Sequence, residues 1–350
     1  MRYVVAILVL FATATSALGQ SWSQQKQAVL TNALGNLVGT GGVSVSLHVN
    51  GNPVFEHAQG FVGPGVPATT TTRYPIASLT KQITAAAILA LQEDGAIVPY
   101  SKQPFTIDTP VNTLFAGVDG WAPLTVRELL TMCSSLPDHT RLPIAGLNPS
   151  APVDWRILLQ AIKSAQRMPQ PCSYNNTNYF LLAQAIEVAS ANDGVFGDYR
   201  RYLRQRIFAR AGMTQTGFIS DGTPFAAPGR AVSTYSLPDW PKGAGDVVST
   251  VGDLQKWNAA FLAGAIVGKG AVQTLITKAS SLLDVGPYAM GWQPIGPSIQ
   301  HSGSLPAGYT SFNRIVFTPA GTFSIVILSN VVTDVWPKLA EQIIAAAMAL

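Results

Sequence analysis

From Val43 to Val49 apolar and polar residues alternate without a fault, and Asn50-Gly51 follows at once. A period of two belongs to a strand with one face in the core, and Asn-Gly supplies the two positive φ angles of a tight hairpin turn. Pro53 to Gly60 should therefore return antiparallel to the first strand, leaving His48 on its polar face with Ser44 and Ser46. A second pair of strands is expected far along the chain, Ser311 to Thr318 and Thr322 to Ser329, joined by Pro319-Ala-Gly321 as a turn. Between the two pairs the period changes to that of helices: Thr80 to Asp94, a capping box at Thr125 and Glu128 opening a helix to about Met132, then Asp154 to Gln166, Thr177 to Ser190 and Phe196 to Ala211. Helices also fit Gln24 to Leu37, Thr250 to Leu262, Val272 to Lys278 and Asp334 to Met348, while residues 213–245, rich in Gly, Pro, Thr and Ser, read as a long surface excursion. Strands, helices, strands, helix is the order of an α+β fold. It implies an antiparallel sheet assembled from both chain ends and flanked by helices as a sandwich, with a mostly helical lobe inserted at roughly residues 96–245.

The chain of 350 residues is long enough for one domain with two lobes, and no repeat or charged linker divides it. Charged residues make up only 11%, so much of the surface has to be Ser, Thr, Asn, Gln and Gly, which suits an exported protein. Residues 1–19 read as a secretory signal: Arg2, an apolar run from Val4 to Ala12, then Ala17-Leu18-Gly19, with cleavage expected before Gln20. The apolar run is too short to span a bilayer, so residues 20–350 are expected as one soluble domain, secreted or periplasmic, with no stable membrane insertion after cleavage. In that compartment a disulfide persists, and Cys133 and Cys172 allow one pairing. The net charge of +4 comes with no basic run beyond Arg200, Arg201, Arg204 and Arg206, which read as a solvated helix face and not as a nucleic-acid surface.

Chemistry concentrates at Pro75-Ile-Ala-Ser-Leu-Thr-Lys81. Ser78 and Lys81 stand almost one turn apart at the mouth of a helix, sharing a face beside unpaired N–H groups. A serine needs a neighbouring base before it is a nucleophile, and a lysine serves only if burial or nearby cations lower its pKa. The pair alone is weak, since Ser23 and Lys26 repeat the spacing near the N-terminus. Two further stretches give it meaning: Cys172-Ser-Tyr-Asn-Asn-Thr-Asn178, with Tyr174 and Asn176, and Gln300-His-Ser-Gly-Ser304. In this order, and with Leu124 to Leu130, Leu136-Pro137 and Gly243 to Thr250 around them, the motifs resemble the serine β-lactamase and penicillin-binding protein superfamily, whose Ser-x-x-Lys signature has this chemistry. The likeness covers essentially the whole mature chain and is nearest the class C β-lactamase, D-alanyl-D-alanine carboxypeptidase and esterase branch.

What the resemblance implies is a β-lactamase/transpeptidase-like fold and an acyl-enzyme on Ser78, with Lys81 receiving or orienting its proton. Tyr174 would pass the proton on, either as a phenolate or as a relay, and which group is the base stays open. His301 would take the place of a lysine in the third motif. Asn176 would offer its amide to the substrate, Ser302 and Gly303 would line the site, and the N–H groups of Ser78 and Ser304 would hold the oxyanion. His139 would stand at the pocket wall or on a solvent-exposed loop. A Cys133–Cys172 disulfide would lock the loop under Tyr174. A histidine near its ordinary pKa is mostly neutral at pH 7, so carboxylate capture should weaken and an efficient β-lactamase is disfavoured. The implied substrate is a small molecule or a peptidoglycan-type peptide, without metal or cofactor, and oligomeric state is not legible. A Gly-x-Ser-x-Gly elbow is absent, and the four histidines lack metal spacing. The rival is a non-catalytic cell-wall or β-lactam-binding sensor on the same fold.

Overall fold

The computed structural model describes residues 41–143, 154–191, 197–227, 241–277, 279–306 and 308–348. The expected signal at residues 1–19 and the helix expected from Gln24 to Leu37 lie outside them. Six antiparallel strands form the main sheet: β1 (Val43–Val49), β2 (Asn52–Gln59), β3 (Gln293–Ile295), β4 (Ser298–Leu305), β5 (Tyr309–Thr318) and β6 (Gly321–Ser329), in the order β3-β4-β5-β6-β1-β2. Four helices frame the sheet and the site: α1 (Thr80–Glu93), α2 (Asn176–Ser190), α3 (Val251–Ala263) and α4 (Trp336–Met348). The fold is α+β, with the sheet drawn from both ends of the chain. Next to the edge strand β2, β1 has Ile327 of β6 opposite Val45 on one side and His57 of β2 on the other. The first hairpin turns on Asn50 and Gly51 at φ +52° and +80°, and the Asn50 side chain accepts the Thr322 N–H at 2.8 Å, joining one hairpin to the other.

The sheet is covered on both faces. Val43, Val45 and Leu47 join Phe312, Ile325 and Ile327 beneath Trp336, Leu339 and Ile343 of α4, and each fully buried aliphatic chain contributes about 2 kcal/mol. The alternate face of β1 is not the solvated one its serines suggest, because α1 and α3 lie on that side. Ser44 and Ser46 are fully buried, and Ser44 Oγ donates to the Thr69 carbonyl at 2.7 Å. Asn313 Nδ2 of β5 donates to Gln82 Oε1 of α1 at 3.1 Å and to Asn258 Oδ1 of α3 at 2.9 Å. Gln255 Nε2 of α3 donates to the Ser46 carbonyl at 2.8 Å. These buried polar links fix both helices to the sheet, because breaking one strands its partner at about 1–3 kcal/mol.

A second, three-stranded sheet corrects the expected surface excursion. Gly217–Phe218 and Tyr74–Pro75 both pair with Val247–Ser249, and Phe218 is fully buried. The small sheet anchors the segment before Ser78, with Ile76 N–H donating to the Val247 carbonyl at 2.9 Å. Helices Val126–Leu130, Trp155–Ser164 and α2 start at Thr125, Asp154 and Asn175, each accepting or framing the first free N–H groups. The arginine cluster on the helical stretch Tyr199–Ala211 is less solvated than expected. Arg206 is buried and paired to Asp94 at 2.7 and 3.0 Å, and Arg204 pairs with Asp221. Among the described residues no helix is long and apolar enough to cross a membrane.

Candidate active site

Ser78 lies in the 3₁₀ turn Ala77–Leu79, which runs directly into α1. Ala77 adopts φ +50°, a left-handed conformation that costs a non-glycine residue of order 1–3 kcal/mol and is held only where packing dictates it. Here the packing is Gly303 of β4. A Cβ on Gly303 would meet Ser311 Oγ, and would stand 2.8 Å from the Ile76 carbonyl oxygen and 2.9 Å from Ala77 Cβ, so the strand lies against the serine turn only because residue 303 has no side chain. Gly303→Ala should then push β4 away from Ser78 by the better part of an ångström. We expect kcat/KM for an activated ester to fall about 100-fold with little change in KM, read by steady-state kinetics. A variant as active as wild type would show that this close approach has no bearing on turnover.

Lys81 projects from the first turn of α1 into the interior. Its Nζ donates to Ser78 Oγ at 3.0 Å, Asn176 Oδ1 at 3.0 Å and the Ala244 carbonyl at 2.7 Å, so an ammonium has all three hydrogens engaged. Burial disfavours that charge and brings the amine down to about 7, against the opposing pull of Asp138. The Ala244 carbonyl reaches Lys81 because Gly243, at φ +73°, packs against the Tyr179 carbonyl of α2, where a side chain would clash. Gly291, at φ +81°, likewise lies against the Lys81 backbone.

Tyr174 precedes α2, with its ring 5.0 Å from Lys81 Nζ and its hydroxyl hydrogen-bonded to Ser78. Enclosure of that hydroxyl pushes its pKa well above the usual tyrosine range; the bond to Ser78 opposes the shift, and Asp138 and Asp284 add to it. Tyr174 is therefore a neutral phenol at neutral pH. Its loop is tied down by the disulfide between Cys133 and Cys172, which closes a span of 39 residues and in the chain-entropy account adds about 4 kcal/mol. The loop is also held by the Ser173 N–H donating to the Met132 carbonyl at 3.1 Å.

His301 of β4 is 3% exposed and packs 5.9 Å from both Tyr174 and Tyr288. Nδ1 lies 2.6 Å from the Ser302 carbonyl, which can only accept, so Nδ1 carries the proton and Nε2 accepts the Tyr288 hydroxyl at 3.3 Å. Burial, then the nearby charge of Lys81, drives the imidazole down to about 3. This corrects the expectation of an ordinary histidine pKa: the ring is neutral throughout the physiological range. Ser302 and Ser304 are exposed on the same strand, and β3 pairs with β4 only from Ser298 to Gln300, so among the described residues no strand of the main sheet pairs with the outer edge of β4 from His301 onward.

Ser78, Tyr174, Asn176, His301, Ser302, Gly303 and Ser304 thus line one cleft of about 720 Å³, with Lys81 beneath it. Two expectations change. His139 is no pocket wall: it is buried, its backbone N–H and Nδ1 meet Thr177 Oγ1 at 2.8 and 3.1 Å, and its ring packs 4.8 Å from Phe180. The Asn176 amide is not free for a substrate, because Nδ2 turns inward to Asp138 Oδ2 at 3.2 Å and Thr140 Oγ1 at 3.5 Å. Asp138, the residue before His139, is the one that acts on the site, through Asn176 and through its field on Lys81. Sequence reasoning missed it, and missed the Ala244 carbonyl, which has no side-chain signature. Among the described residues no group of three or more His, Cys, Asp and Glu side chains is arranged to hold a metal.

A family model described as Beta-lactamase matches residues 30–348. PbpX of Bacillus subtilis strain 168 is 28% identical over 272 residues, 74% of this chain and 62% of the relative, so the chain spans less than two thirds of that protein's length. The D-amino acid amidase of Ochrobactrum anthropi SV3, crystallised with L-phenylalanine, superposes with a TM-score of 0.75 at 22% identity, over 92% of this chain and 97% of that one. A penicillin-binding protein from Bacillus halodurans gives 0.68 at 23% identity, over 87% and 95%. At such identities the two structures establish a common β-lactamase/transpeptidase-like fold.

Proposed function

The chain belongs to the Beta-lactamase family, and on that premise we propose that it is a serine hydrolase working through an acyl-enzyme on Ser78. The observation that carries this is the contact of 3.0 Å between Ser78 Oγ and a fully buried amine whose pKa has fallen to about 7. As the neutral amine, Lys81 keeps two N–H bonds for Asn176 and Ala244 and turns its lone pair to the serine hydroxyl. It accepts the proton as Oγ attacks the carbonyl, and the N–H groups of Ser78 and Ser304 receive the oxyanion. Tyr174, a neutral phenol hydrogen-bonded to Ser78, relays the proton to the leaving group. Water then releases the acyl group by the same steps in reverse.

The substrates we favour are esters or amides of the D-alanyl or D-amino-acyl type, with β-lactams turned over poorly. His301 stands where a lysine would supply a fixed positive charge, and it is held neutral. Kinship in fold with a D-amino acid amidase agrees with this choice. We place the protein outside the cytoplasm, a reading supported by the signal-like residues 1–19 and by a disulfide that needs an oxidising compartment. The test is covalent trapping. A fluorophosphonate should add once to the intact protein, with peptide mapping placing it on Ser78, and the same preparation should cleave nitrophenyl esters or D-alanyl amides faster than a chromogenic cephalosporin. Binding of a penicillin with neither an adduct nor turnover would favour the sensor reading and sink this one.

A further inference from the structure

The segment leading into α4 and the first residues of that helix, Thr333, Asp334, Trp336 and Pro337, line the cleft together with Ser302 and Ser304. Asp334 is exposed, and among the described residues it has no ion-pair partner. Among the described residues it is also the one in the lining with a formal charge at neutral pH, since His301 is neutral and Lys81 lies under the floor, bonded to Ser78, Asn176 and Ala244. The remaining charges that reach the site have the same sign. Asp284 Oδ1 accepts the Tyr174 N–H at 3.3 Å, and Asp138 stands behind Asn176. The nearest basic side chains by sequence, Lys338 on α4 and Arg141 after Asp138, are exposed and not in the lining.

We infer that this cleft selects substrates carrying an ammonium or other positive charge on the acyl group, and turns away carboxylates, with Asp334 as the residue that sets the preference. The inference rests on the acyl-transfer reading above and goes beyond it by fixing the charge of the substrate. A pair of opposite charges a few ångströms apart at a half-solvated site is worth about a factor of ten, and the like-charge pair costs about the same.

Three nitrophenyl esters of matched size test it: 4-(trimethylammonio)butyrate, its carbon isostere 5,5-dimethylhexanoate, and hemiglutarate, each rate normalised to hydroxide hydrolysis. At low salt the cation should exceed the carboxylate in kcat/KM by about 30-fold or more, with the neutral ester between. Sodium chloride at about 0.5 M should compress the ratio. Asp334→Asn should bring it below about threefold, and Asp334→Lys should invert it, a change that mere loosening of the wall would not produce. Equal rates for all three esters, or a preference indifferent to both substitutions, overturn the inference while leaving Ser78 chemistry standing. Absence of both turnover and a Ser78 adduct removes the acyl-transfer reading and this inference together.

Discussion

Ser78→Ala is expected to lower kcat/KM on an activated ester by at least about 10⁴-fold, with the fold retained by circular dichroism. Oγ is the atom on which Lys81 and Tyr174 converge, and among the described residues nothing else in the cleft offers a hydroxyl to both. What survives the substitution is the environment: N–H groups for an oxyanion and a shaped cleft, which together sustain only a residual rate. Because Ser78 and Lys81 act as a unit, the double variant Ser78→Ala/Lys81→Met should be barely slower than either single one, and losses that multiply would mean the two groups serve separate steps.

Lys81 gives the second large effect, and with it a pH signature. Its working form is the neutral amine, so protonation removes the base: kcat/KM should be flat above about pH 7 and fall tenfold per unit below it. Lys81→Met should cost about 10³- to 10⁴-fold and abolish that limb. His301→Gln should leave the limb in place, because an imidazole that titrates near 3 is neutral across the whole assay range. A limb that vanished in the His301 variant and survived in the Lys81 variant would reverse the assignment.

Much of this molecule is legible in its residues alone, for reasons that are local. The hairpin at Asn50-Gly51 and the return from Thr318 to Gly321 are written in turn chemistry and a period of two, and the start of α3 in its capping residue Thr250. The grouping of Ser78, Lys81, Tyr174 and His301 is legible only as three ordered motifs, since no local rule brings residue 301 beside residue 78. Long-range packing is not. Ser44 and Ser46 look solvated until Tyr74 meets the first and Gln255 of α3 the second, and Phe218 looks like part of a loop until it finds Val247. The drop in the His301 pKa requires knowing that Lys81 lies beside it in a closed space, and Asp138 is hidden because the more familiar catalytic side chain stands next to it at position 139.

The pairing of β1 with β6 joins Val43 to Ser329. During synthesis the first hairpin must therefore wait, its apolar flank without a partner, until residue 329 has emerged, and loop closure over such a span is slow. A chain truncated before the final hairpin has no way to complete the sheet or to hold Gly303 against the serine turn. Catalytic competence therefore waits on the pairing of two segments that lie far apart along the chain.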